Sequence, residues 1–129
     1  MSSDLDNKAA DYTAAWNSGD PTAVARHFTP QAQIVINRGD PHKATEALTA
    51  MAAGFHAAFP DLELTCDGTR GNGSHAVYLW TLAGHHVDTR NPVRISGWEE
   101  WDLTNDGQIA ASLGWFDADD YQRQIDGTP

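Results

Sequence analysis

Two acids stand on faces that are otherwise apolar. Val93, Ile95, Gly97, Glu99, Trp101 and Leu103 share one face of a strand by period-two alternation. Ile109, Ala111, Leu113, Trp115 and Asp117 share one face of the next. If Leu103 pairs with Ile109, the apolar faces coincide, with Glu99 opposite Leu113 and Asp117 opposite Ile95. A carboxylate on such a face loses water, and desolvation raises its pKa toward the range of a general base. This register sets the acids four residues apart along the sheet, on the order of 13 Å, so they do not form a proton-sharing dyad.

Each acid also has a plainer reading. Asp117-Ala-Asp-Asp is a suitable helix start, so Asp117 is read equally as an N-cap. Glu99 is alternatively a rim carboxylate paired with Arg94 or Arg90. His85 and His86 point to opposite faces of a continuing strand, and no third ligand has fitting spacing, so no metal site is expected. One of them is a candidate proton donor in a pocket, beside the reading of both as surface or satisfied histidines. The chain has no phosphate-cradling glycine loop, no Gly-x-Ser-x-Gly and no supported Cys–His pair.

The elements that must position these groups change period near Pro60. Leu5, Ala9, Tyr12 and Trp16 recur at helical spacing and predict a first helix over 3–18, with Gly19 as its C-terminal cap. Asp20-Pro21 restarts the chain as a short helix carrying Val24 and Phe28 inward. A short strand is expected over 33–36. Asp40-Pro41 then repeats the cap-plus-proline device before a long helix bearing Ala44, Ala47, Leu48, Met51, Ala52 and Phe55, up to Phe59. After Pro60 come candidate strands over 62–67, 75–86, 93–103 and 109–116, with loops over 68–74, 88–92 and 104–108. A last helical turn is expected over 118–125. Helices first and a mostly antiparallel sheet after is an α+β order, a curved sheet wrapped around a helix with a cavity between them.

The 129 residues suit a single domain, 1–129, with one core. Eight Lys and Arg against eighteen Asp and Glu give a formal net charge of −10, which disfavours nucleic acid and anionic membrane as partners. With Cys66 as its one cysteine the chain has no internal disulfide, and a reducing, cytoplasmic setting fits. The first residues carry neither basic start nor apolar run, so no signal peptide is expected, and no apolar stretch approaches the ~20 residues of a membrane span.

Several segments are similar, in order, to one family. Tyr12-Thr-Ala-Ala-Trp16-Asn-Ser-Gly-Asp20 resembles the opening of SnoaL-like proteins. Phe55-His-Ala-Ala-Phe59-Pro-Asp-Leu62 resembles their Phe-Pro-Asp-Leu corner, and Trp80-Thr-Leu-Ala-Gly-His-His86 their strand end. Asp106-Gly-Gln-Ile109 and Trp115-Phe-Asp117 resemble their last hairpin and closing strand. The resemblance, spanning nearly the whole chain, implies the cone-shaped nuclear transport factor 2-like (cystatin-like) α+β barrel. It also implies a cofactor-free pocket enzyme of the polyketide cyclase kind, usually a homodimer. Asp117 matches the position of the family's last-strand aspartate, which starts an intramolecular aldol closure by taking a proton from carbon. His86 matches the strand-end histidine, and Tyr12 a first-helix aromatic bordering the pocket. Leu79 stands where many relatives carry Arg, and Val35-Ile36 where they carry a His-Asp pair, so a more apolar pocket is expected.

In such a fold core and pocket wall are the same surface. Tyr12, Trp16, Trp80, Trp101 and Trp115 are therefore expected as core and as an aromatic wall for a hydrophobic or aromatic small molecule, with Phe55, Phe59 and Leu113 beside them. Asp117 leads as catalytic base, with Glu99 and His86 next. The leading function is cofactor-free acid–base chemistry: aldol cyclisation, or isomerisation or dehydration. The alternatives are a non-catalytic dimeric ligand-binding domain and an epoxide-hydrolase-like enzyme, begun by Arg94 and Asp117 but needing a full Asp-Arg-Asp set. Both faces of the strand around Ala76 to Gly84 are largely apolar, so a homodimer through the outer face of the sheet is expected.

Overall fold

The computed structural model describes residues 4–72 and 74–128. In chain order it contains α1 (Asp4–Asn17), α2 (Pro21–Ala25), β1 (Phe28–Ile36), β2 (His42–Lys43) and α3 (Ala44–Ala58). β3 (Glu63–Asn72), β4 (His75–His85), β5 (Pro92–Leu103), β6 (Ile109–Phe116) and α4 (Ala118–Asp126) follow. The strands form one curved sheet in the order β2-β1-β6-β5-β4-β3. Neighbours are antiparallel except β1 and β6, which run parallel. The α+β architecture expected from the period switch at Pro60 is present. Among the described residues no helix is long and apolar enough to cross a membrane.

The helices fill the hollow of the sheet with the stripes their spacing set. α1 buries Ala9, Tyr12, Ala15 and Trp16, and α3 buries Leu48, Met51 and Ala52. α1 packs on β3, and α3 packs on β1 and α2. The Asn17 side chain joins α1 to the sheet. Its amide donates to the Leu64 carbonyl at 2.8 Å, and its oxygen accepts from the Leu64 N–H at 2.7 Å. The turn after α1 holds Gly19 at φ +76°, a conformation that favours glycine. Asp20 then caps α2 by accepting from the Thr22 N–H at 2.9 Å.

Several boundaries differ from the sequence expectation. Position 3, the expected start of the first helix, lies outside the described residues. Asp40-Pro41 does not start α3; the chain first pairs His42 and Lys43 with β1, and Lys43 makes no side-chain cap. Phe28 opens β1 instead of ending α2. The β1–β6 register is irregular between Phe28 and Gln33, which accommodates Pro30, a residue with no N–H to give a ladder. Most of the loop expected over 68–74 is strand, because β3 and β4 continue pairing to Asn72 and His75; Gly73 lies outside the described residues.

The consequential difference is a bulge in the last hairpin. Leu103 pairs with Ile109 as expected, but Asp102 pairs with Ala111. Ala110 is thus an extra residue, and every side chain after it changes face. Ser112 and Gly114 are buried on the inside, while Leu113 is 43 % exposed on the outside.

Candidate active site

Glu99 stands opposite Gly114, not Leu113. It is 7 % exposed, in the wall of a cavity of about 60 Å³ between the sheet and the helices. Trp16 on α1, Met51 and Phe55 on α3, Ile36 on β1, Trp80 on β4 and Ile95 on β5 line the same space. Among the described residues, Glu99 is the one ionisable side chain on that wall.

Three elements supply its partners. Ser112 donates to Oε1 at 2.8 Å, the Trp101 indole N–H donates to Oε1 at 3.1 Å, and the Tyr12 hydroxyl lies 3.2 Å from the same oxygen. Among the described residues, Oε2 has only the shared Tyr12 proton, at 3.0 Å. The two oxygens are therefore unequal. Oε1 is saturated and anchored, whereas Oε2 keeps acceptor capacity for a proton or a ligand.

Burial raises the Glu99 pKa above its ordinary value, and the hydrogen bonds from Trp101, Ser112 and Tyr12 oppose that rise. Burial, reinforced by the neighbouring Glu99 charge, pushes the Tyr12 phenol well up, so it remains a proton donor. Tyr12 stands edge-on to both Tyr78 and Trp101, at ring separations of 5.3 and 5.2 Å, and Tyr78 stacks on Trp101 at 5.0 Å. The Tyr78 hydroxyl is held in turn by Thr13 Oγ1. A rigid aromatic cluster thus aims two donors, Tyr12 and Trp101, at one carboxylate, and Ser112 from β6 adds the third.

Gly97 sets how closely Trp80 approaches this wall. A Cβ there would lie 2.7 Å from Trp80 Cζ2 and 2.1 Å from the Trp115 carbonyl oxygen, so only glycine fits without a backbone shift.

Several expected site residues lie elsewhere. Asp117 is exposed and caps α4, accepting from the Asp120 N–H at 3.0 Å. The strand ends at Phe116, so alternation cannot carry Asp117 into the cavity. His86 sits in the turn after β4, its ring against Phe59 at 5.6 Å and away from the cavity. His85 is exposed and pairs with Asp61 at 2.6 Å. Phe59, Tyr12 and Trp101 are core residues that do not line the cavity. The bulge turns Leu113 outward. Trp115 borders the cavity, but its indole stacks on exposed Trp98 at 6.4 Å and donates to Glu100.

Trp16, Phe55 and Trp80 do line the cavity, and Glu99 is no rim carboxylate: Arg94 and Arg90 are both exposed. Ile34 and Ile36 point inward beside Ser112 and Gly114, while Val35 and Leu79 sit beside outward Leu113 and Trp98. Sequence reasoning missed Ser112, Gly114 and Phe116. The visible signal was a small polar residue and a glycine alternating with large apolar ones, which fits a face crowded by another group.

Residues 9–112 match the model of the SnoaL-like domain family. No curated protein matches the chain in sequence. Among solved structures, a protein with a ketosteroid isomerase-like fold from Catenulispora acidiphila DSM 44928, in complex with trimethylamine, superposes with a TM-score of 0.85. Its identity is 17 %, over 95 % of this chain and 93 % of the other. A protein described as a SnoaL-like polyketide cyclase from Jannaschia sp. CCS1 gives 0.80 at 17 % identity, over 100 % and 99 %. SalBIII, an epoxide hydrolase/cyclase-like enzyme of pyran ring formation in the polyether salinomycin, gives 0.79 at 18 %, over 88 % and 91 %. At these identities the likeness is one of fold.

Proposed function

Because this chain belongs to the SnoaL-like domain family, we propose that it is a small-molecule enzyme performing acid–base chemistry without a cofactor, with Glu99 as its proton-transfer group. The reaction class is polyketide-type aldol cyclisation or the related isomerisation and dehydration. The observation that carries this reading is the asymmetry of Glu99, a buried carboxylate in an apolar cavity wall with one oxygen saturated and the other keeping acceptor capacity.

In the cyclisation form, Oε2 takes a proton from the carbon next to a ketone. The C–H bond breaks, an O–H bond forms on Glu99, and the electron pair passes into the enolate. The enolate carbon then bonds to a second carbonyl carbon of the same molecule, and Glu99 returns its proton to the new alkoxide. Desolvation makes the carboxylate a stronger base than in water, and the three donors keep it ionisable. Aromatic walls at Trp16, Phe55, Trp80 and Phe116 suit a hydrophobic or aromatic substrate.

The test is hydrogen exchange next to the carbonyl of hydrophobic ketones in deuterated water, followed by NMR. Wild type accelerates exchange of at least one ketone, and Glu99→Gln lowers that rate by ~10²–10⁴-fold. A ketone that binds both proteins with no exchange in either supports the second reading, a non-catalytic ligand-binding domain. That reading draws on the placement of Asp117 and His86 away from the cavity. An epoxide-hydrolase-like Asp-Arg-Asp set is not favoured, since among the described residues no arginine or aspartate lines the cavity.

A further inference from the structure

One glycine on the cavity wall is not required by the backbone. Among the described residues, Gly114 of β6 is the one buried glycine, and its φ is not positive. A glycine inside a strand weakens the ladder and packs nothing. It commonly marks a place that another backbone or a ligand approaches closely. No backbone crowds this one: the nearest backbone atom to an added Cβ would be the Val35 carbonyl oxygen, at 3.9 Å. Gly97 on the neighbouring strand is the opposite case, with the Trp115 carbonyl oxygen at 2.1 Å.

The place left open adjoins the carboxylate. In the inner row of the sheet Gly114 stands between Ile36 of β1 and Glu99 of β5, and it lines the cavity with them. A Cβ at 114 would meet Ile36 Cγ1 at 3.6 Å and Glu99 Cγ at 3.9 Å. These are ordinary van der Waals contacts, so one carbon atom fits there and displaces nothing. The fold therefore leaves a carbon-sized space beside Glu99 that alanine would fill.

We propose that Gly114 is a specificity-determining residue, and that the substrates are ketones whose reacting carbon carries a carbon substituent. This rests on the reading of Glu99 as the base. The substituent takes the space over Gly114, in contact with Ile36 and the Glu99 stem, and the reacting carbon is thereby held against the carboxylate. A terminal CH3 group has no substituent to place there and forgoes those contacts. Proton removal then falls on the internal carbon of an unsymmetrical ketone, and the enolate formed is the more substituted one.

The full chain is incubated with 2-butanone in deuterated water, and deuterium entering the CH2 and the CH3 next to the carbonyl is followed by NMR. Both sites belong to one molecule, so their ratio is independent of affinity, and buffer alone sets the reference. Wild type is expected to favour CH2 above that reference. Gly114→Ala is expected to lower the ratio roughly tenfold, the worth of one methyl group in an apolar pocket. Its melting temperature should hold or rise, since alanine fits and restricts the unfolded chain. An unchanged ratio overturns the proposal, and so does a fall in melting temperature, which would make the glycine structural. Contact is read apart from turnover, as an NOE between the Gly114 Hα protons and the ethyl group of 2-butanone bound to wild type. If the ketone binds without exchange, the Glu99 reading fails and this NOE decides Gly114: its presence supports the proposal and its absence overturns it. A ketone that does not bind overturns both.

Discussion

The Tyr12 hydroxyl lies within hydrogen-bonding distance of both Glu99 oxygens, at 3.0 and 3.2 Å, and joins the first helix to β5 across 87 residues of chain. One proton serves two acceptors, so this bond matters most when Glu99 is ionised. Tyr12→Phe should therefore destabilise the protein by about 1–3 kcal/mol when Glu99 is charged, and by less when it is protonated. Urea unfolding of both proteins at pH 4 and pH 8 measures this. An equal cost at the two pH values would mean that the hydroxyl does not serve the carboxylate.

Glu99 also gives stability a pH dependence of known sign. Its folded pKa lies above the ordinary value of 4.5 because burial penalises the charge. A raised acid favours folding below the unfolded pKa, and that contribution is lost as pH rises through the folded value. Glu99→Gln keeps the shape without the charge. Its melting temperature relative to wild type should climb from pH 4.5 upward and level off above the folded pKa. Each tenfold gain in the proton affinity of Glu99 on folding corresponds to about 1.4 kcal/mol. A difference independent of pH would contradict the burial argument.

The fold was legible in the sequence because its signals are strong and redundant. The Ala9–Tyr12–Trp16 stripe, the Leu48–Met51–Ala52 stripe and the break at Pro60 each mark the helices packed into a sheet. Glu99 was legible too, since strand alternation alone puts it among Val93, Ile95 and Trp101. The partner strand was not. A single bulged residue, Ala110, inverts the faces of β6, and nothing in Ile109-Ala-Ala-Ser112 announces it. Asp117 was misplaced for a related reason: the continuous pattern Leu113, Trp115, Asp117 hides the end of the strand at Phe116.

Asp117 caps a helix, a role that needs its side-chain oxygen and not its charge. Asp117→Asn should leave turnover within about twofold of wild type, because Asn caps nearly as well. Asp117→Ala should cost ~1 kcal/mol through loss of the bond to the Asp120 N–H. Turnover on any ketone found active, together with thermal melts, separates the roles. A large loss of turnover in Asp117→Asn with stability intact would restore Asp117 to the mechanism.

The outer face of the sheet carries an aromatic patch suited to a second copy of the chain. Trp98 is 41 % and Leu113 43 % exposed. The indoles of Trp98 and Trp115 both donate to Glu100, and Arg38 lies 5.8 Å above the Trp115 ring. Pairing this face would cover apolar area that is otherwise exposed. Light scattering at micromolar concentration should give twice the 14.0 kDa chain mass, and Trp98→Glu should return it to 14.0 kDa. A wild-type mass of 14.0 kDa would count against the dimer.

Glu99 is proposed above as a buried proton-transfer group. A carbon-13 NMR titration of the side-chain carboxyl groups, with the Glu99 signal identified by its absence in Glu99→Gln, tests this most directly. The predicted result is a Glu99 carboxyl titrating clearly above 4.5, the direction set by its burial, and shifting when a hydrophobic ketone is added. A Glu99 carboxyl titrating at or below 4.5, and unmoved by any ligand that binds the protein, would contradict the account.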